Sequence, residues 1–101
     1  MNPAPVAYLW YNSRMWYVYI LETKDGRLYT GTTNDISRRM EEHKDGKGGR
    51  FTRSFRFKGL LYTEEHPTKS AALKRERQVQ GWTRREKLAL INGDLNQTKT
   101  L

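Results

Sequence analysis

Residues 16–43 read WYVYILETKDGRLYTGTTNDISRRMEEH, and the way this stretch pairs with itself decides the fold. A β-branched and aromatic run from Tyr17 to Leu21, a turn signal at Lys24-Asp25-Gly26, and a second run from Leu28 to Thr32 make a hairpin. A helix start follows directly. The length of the turn fixes which side chains meet, because strand side chains alternate between faces. A two-residue Asp25-Gly26 loop sends Tyr29 to the face opposite Tyr19. A three-residue loop, Lys24-Asp25-Gly26 with Gly26 in the left-handed conformation, brings both tyrosines to one face, and this is the register predicted here. The following helix, capped by Thr33 or Asn34 with Asp35 in its first turn, ends near Asp45-Gly46. Ile36 and Met40 form its inward stripe. Arg39 and His43, one turn apart, fall on or beside that stripe, whereas Arg38, Glu41 and Glu42 face water. An arginine turned toward a sheet needs a partner.

Outward from this stretch, Lys47 to Lys58 interleaves five cations with three phenylalanines. Glycines 48 and 49 allow close backbone approach to a phosphate, so Lys47, Arg50 and Arg53 are candidates for phosphate contact. Phe55 and Phe57 read more simply as cover for the core. Gly59 to Thr63, with Leu60, Leu61 and Tyr62, predicts a third strand. Pro67-Thr68 opens a second helix to about Gln80, with Ala72, Leu73 and Val79 inward and Glu76 among them. Gly81-Trp82 ends it. Thr83-Arg84-Arg85-Glu86 is a capping box for a last helix through Ile91, packed by Leu88 and Ile91 and stopped at Asn92-Gly93. The expectation is an α+β fold: a small three-stranded antiparallel sheet flanked by about three helices. Residues 1–14 form a flexible N-terminal extension in which Tyr8 to Tyr11 could pack back on the domain. Residues 15–93 form the domain and 94–101 a frayed tail.

Composition bounds the function. A chain of 101 residues makes one small domain, near the lower end of what folds alone. With no cysteine, disulfide frameworks and cysteine zinc sites are excluded. No apolar run approaches the ~20 residues of a membrane span, and the N-terminus lacks a signal-peptide core, so a cytoplasmic protein without membrane association is expected. Nineteen Lys and Arg against 11 Asp and Glu leave a charge of +8, which favours a polyanionic partner such as nucleic acid. No protein partner is inferable, and a monomer or weak dimer is expected.

The candidate catalytic set is Tyr19, Tyr29, Arg39, His43 and Glu76. Each has a structural alternative: strand aromatics for the tyrosines, a helix-end cation for His43, an Arg39–Glu76 ion pair between helices. Asp25, Asp35 and Asp45 sit at turns or helix ends, and Glu22 faces away. Glu76 is therefore the carboxylate left for a metal, and one carboxylate suits a single Mg²⁺ (or Mn²⁺) that keeps most of its waters.

Tyr17-Val18-Tyr19, Tyr29-Thr30-Gly31, Asp35-Ile36-Ser37-Arg38-Arg39 and His43 resemble the GIY-YIG nucleases, with Tyr17 where the name motif has glycine. The stretches Gly46 to Arg53, Lys74-Arg75-Glu76 and Gly81-Trp82 are similar to the small free-standing bacterial endonuclease-like group of the UPF0213 type. The resemblance spans roughly residues 15 to 92. It implies a one-metal DNA endonuclease, with DNA repair or recombination the expected setting, in which Glu76 holds the metal, Arg39 binds the scissile phosphate, and Tyr19, helped by Tyr29 or His43, deprotonates water. Tyr17 and Gly31 join Lys47, Arg50 and Arg53 as nucleic-acid-binding candidates. Relatives commonly carry lysine at the position of Gln80. A non-catalytic DNA- or RNA-binding protein that keeps the same fold is the alternative.

Overall fold

A computed structural model describes residues 14–47 and 55–93. Along the chain run β1 (Trp16–Thr23), β2 (Leu28–Thr33), α1 (Ile36–Lys44), β3 (Phe57–His66), α2 (Lys69–Gln80) and α3 (Arg84–Asn92). The three strands form one antiparallel sheet in the order β2-β1-β3. Being central, β1 is covered on both faces, which is why Val18, Tyr19, Ile20 and Leu21 are all fully buried and its sequence does not alternate.

The hairpin turns through Lys24-Asp25-Gly26. Thr23 N donates to Arg27 O at 2.9 Å, and Gly26 takes φ +88°, the left-handed conformation the turn demands. Tyr19 pairs with Gly31 and Leu21 with Tyr29, so both tyrosines lie on one face of the sheet, with Tyr17. That face receives α1. The opposite face, carrying Val18, Ile20, Thr32, Tyr62 and Glu64, receives α2, whose Ala72 and Val79 are buried. α2 is pinned there by a charged knot: Arg75 Nε donates to Glu64 Oε2 at 2.8 Å, while Tyr62 Oη donates to Glu64 Oε1 at 2.7 Å and His66 Nε2 lies 2.6 Å from Glu64 Oε2. Burial alone raises the Glu64 carboxyl, but these hydrogen bonds outweigh it and hold it below the usual range.

Three expectations are corrected. Asp35, not Thr33 or Asn34, caps α1, accepting from Arg38 N at 3.0 Å, because Thr33 is still paired with Tyr17 in the ladder. β3 runs well beyond Gly59–Thr63 at both ends, and an irregularity opposite Ile20 and Leu21 leaves Leu60 and Leu61 exposed rather than in the core. In α1 the buried residue is His43, with Ile36 and Met40 only half-buried; in α3 it is Ala89, with Leu88 and Ile91 half-buried. The capping box at Thr83 and Glu86 forms as expected. Tyr8 to Tyr11, Arg50 and Arg53 lie outside the described residues. Among those described, no helix is long and apolar enough to cross a membrane.

Candidate active site

The centre of the site follows from a missing side chain. Tyr19 projects from β1 toward the edge strand β2, and its ring lies over Gly31. A Cβ on Gly31 would stand 2.4 Å from Tyr19 Oη and 2.5 Å from Cζ. Gly31 is thus the seat of the Tyr19 phenol, a packing role.

Seated this way, the phenol oxygen meets two groups from α1. His43 Nε2 is 2.9 Å away, and Arg39 Nε donates to the oxygen at 3.3 Å. Since the guanidinium can only donate, the phenol accepts from Arg39; toward His43 Nε2 it donates in the imidazole tautomer protonated at Nδ1. His43 is fully buried, at 1 % exposure. Burial, and next the charge of Arg39, push its pKa down to about 4, so the imidazole is neutral at neutral pH and one of its ring nitrogens is unprotonated. Burial likewise pushes the Tyr19 phenol up to about 12, against the opposing hydrogen bond from Arg39. Tyr29 completes the aromatic cluster, its ring centroid 6.3 Å from Tyr19 and 5.5 Å from His43. Phe57 stacks on the other side of the imidazole at 6.4 Å and 14°. The phenylalanine thus covers the site as well as the core.

Arg39 turns its Nη1 to Glu42 Oε1 at 2.8 Å, an i,i+3 pair within α1. That hydrogen bond holds the Glu42 carboxyl below its ordinary range. The anticipated Arg39–Glu76 ion pair is not formed. Glu76 belongs to the layer beneath the sheet and reaches the β2 edge from that side: Oε1 accepts from Thr32 Oγ1 at 2.8 Å and Oε2 from Gln80 Nε2 at 3.0 Å. Gln80 also donates to Thr30 O at 3.4 Å. Glu76 therefore touches none of the other four residues, although it is near enough for its charge to raise the Tyr19 phenol.

The remaining carboxylates have structural work. Asp25 accepts from Thr23 Oγ1 at 2.6 Å in the hairpin, Asp35 caps α1, and Asp45 ends it. Glu22 faces Lys58 at 3.7 Å on the far side. Among the described residues no three His, Cys, Asp or Glu gather as a metal cage. Glu76 is the group that could hold a cation, its charge met among the described residues by the neutral donors Thr32 and Gln80. Tyr17 is half-exposed on the Tyr19 face, lining a hollow with Asn34 to Ser37, Leu60 and Thr63. Lys47 is exposed just beyond α1. Glu42 and Thr32 escaped the sequence reading; the i,i+3 spacing of Arg39 and Glu42 was the available signal.

The model of the GIY-YIG catalytic domain family matches residues 15–89. This chain belongs to the GIY-YIG family. A UPF0213 protein of Streptococcus sanguinis is 48% identical over 75 residues, covering 74% of this GIY-YIG chain and 86% of the relative. A UPF0213 protein of Staphylococcus aureus is 45% identical over 75 residues, covering 74% and 92%. A solution NMR structure of a UPF0213 protein from Bacillus halodurans is similar with a TM-score of 0.50 and 41% identity, over 86% of this GIY-YIG chain and 96% of that one.

Proposed function

We propose that this GIY-YIG domain hydrolyses phosphodiester bonds of DNA as an endonuclease. The observation that carries the reading is the chain Arg39 Nε–Tyr19 Oη–His43 Nε2, at 3.3 and 2.9 Å, which ends on a buried neutral imidazole. A phenol titrating near 12 is a poor base by itself, but as a relay it needs no deprotonated resting state. The attacking water gives its proton to Tyr19 Oη as the phenol proton passes to His43 Nε2; the water oxygen bonds phosphorus, and the ester oxygen leaves. Arg39, 28% exposed, places its guanidinium where charge grows on the phosphoryl oxygens, which requires it to loosen its hold on Glu42. Tyr29 packs the relay in place.

The Glu76 carboxylate beside the Thr32 hydroxyl is a hard-oxygen set fit for one Mg²⁺ or Mn²⁺ that keeps several waters. When bound there, the cation supplies positive charge for the departing oxygen. A role in DNA repair or recombination, in the cytoplasm, fits such an activity.

Plasmid nicking with Mg²⁺ or EDTA tests the reading. We expect cation-dependent nicking that is lost in Arg39→Ala and Tyr19→Phe while both variants stay folded. A second reading, a nucleic-acid-binding domain that cuts nothing, is favoured by the complete burial of Tyr19. Salt-sensitive DNA binding with no nicking under any divalent cation establishes it in place of the first.

A further inference from the structure

Beside the relay, on the far side of His43, lies a cavity of about 220 Å³ whose walls come from three separate stretches of chain. The hairpin turn contributes Lys24, the end of α1 contributes Lys44 and Asp45, and the start of β3 contributes Arg56 and Phe57, with His43 between them. Three cations against one carboxylate converge there. Lys44 alone has an ordinary explanation, since a cation complements the negative end of a helix, and it also pairs loosely with Glu41 at 3.3 Å. Lys24 and Arg56 do not: they belong to other elements and bring like charge toward that lysine.

Their placement is built into the backbone. Lys24 N donates to Arg56 O at 2.9 Å, fastening the hairpin tip to the entry of β3. Arg56 holds φ +60°, the one non-glycine residue at positive φ among those described. An arginine where glycine is the relaxed choice is a local strain retained at a cation-lined hollow. The imidazole both meets Tyr19 Oη and lines the cavity, so the hollow adjoins the relay and a strand crossing one is brought to the other.

We propose that Lys24, Lys44 and Arg56 form a phosphate subsite that takes a backbone phosphodiester neighbouring the scissile one. This rests on the nuclease reading for the presence of a strand at the relay. The phosphate chemistry could come from an internal diester or from a terminal monoester, and the assignment is to the internal group because the hollow is open and flanks the relay.

The test is salt-dependent binding of the full chain to a labelled oligonucleotide, single-stranded and duplex, each with and without a 5′-phosphate. Loss of one phosphate contact lowers the magnitude of the slope of log K against log salt by about one. We expect that loss in the triple variant Lys24→Gln, Lys44→Gln, Arg56→Gln, with equal effect on both 5′ ends. A charge-matched variant on exposed positions of α2 and α3, Lys74→Gln, Arg77→Gln, Arg85→Gln, is the control. Equal slopes in the two triple variants overturn the subsite, as does failure of the wild type to bind any of the four oligonucleotides. An effect confined to 5′-phosphorylated strands overturns the internal assignment in favour of strand-end recognition. If the wild type nicks nothing and the slope difference persists, hydrolysis falls and the hollow stands; nicking with equal slopes gives the reverse.

Discussion

Replacing Gly31 by alanine places a methyl group 2.4 Å from Tyr19 Oη and 2.5 Å from Cζ. Heavy atoms pack at ~3.5–4.0 Å, so one of the two must yield. The alanine is fixed on β2, paired directly with β1, so the ring has to swing. Its movement breaks the contacts at 2.9 Å to His43 and 3.3 Å to Arg39 together. Overpacking costs ~1–3 kcal/mol and each of the two lost hydrogen bonds ~0.5–1.5 kcal/mol, for a total of about 2–6 kcal/mol. A domain of this size has only ~5–15 kcal/mol to lose. Urea unfolding measures the loss, and a double-mutant cycle identifies its cause. In a Tyr19→Ala background the methyl has nothing to strike, so Gly31→Ala becomes nearly neutral and the coupling equals most of its original cost. Additive costs in the cycle would refute the idea that Gly31 exists to seat the phenol.

The His43 imidazole titrates near 4 in the fold against 6.5 in an open chain, so between those values the unfolded state binds a proton the folded state refuses. Stability therefore falls as the pH drops through that window, by roughly 3 kcal/mol at ~1.4 kcal/mol per unit; urea midpoints should flatten with pH in His43→Gln, and an unchanged profile there contradicts the assignment. For the same reason, nicking should persist below pH 6 instead of failing near the ordinary histidine value, which a pH–rate profile reads directly. Glu76→Gln keeps an acceptor for Thr32 or Gln80 and should cost under ~1 kcal/mol while abolishing cation-dependent nicking; a large loss of stability with nicking retained would make the residue purely structural. Arg56→Gly relaxes the φ of +60° and should raise stability by ~1 kcal/mol in thermal melts even as it weakens DNA binding. Melts showing destabilisation would mean that the arginine side chain, not its backbone, holds that corner.

Much of the fold was legible because local chemistry and global pattern agree in the hairpin. Asp25-Gly26 demanded a turn, and the wish to bring two tyrosines to one face selected the three-residue loop that forms. The capping residues Thr68 and Thr83 marked their helices in the same local way. The extent of β3 was hidden because its last residues are Glu64, Glu65 and His66, a charged run with no strand signature; Glu64 is half-buried because Arg75, eleven positions on, comes back to meet it. Candidate residues Tyr19, Tyr29, Arg39 and His43 could be grouped from strand parity and helical spacing. The seating of Glu76 by Thr32, 44 positions away, depends on how two layers pack across a sheet edge, which no short-range pattern encodes.

The groups proposed for chemistry enter the chain far apart: Tyr19, Tyr29, Arg39 and His43 lie in its first three elements, whereas Glu76 arrives only with α2. On the proposed reading, a half-made or partly opened chain carries a proton relay with no carboxylate beside it. Loosening α2 would disarm the molecule on that reading, and because α2 also covers Val18 and Ile20 it would open the sheet's core at the same time.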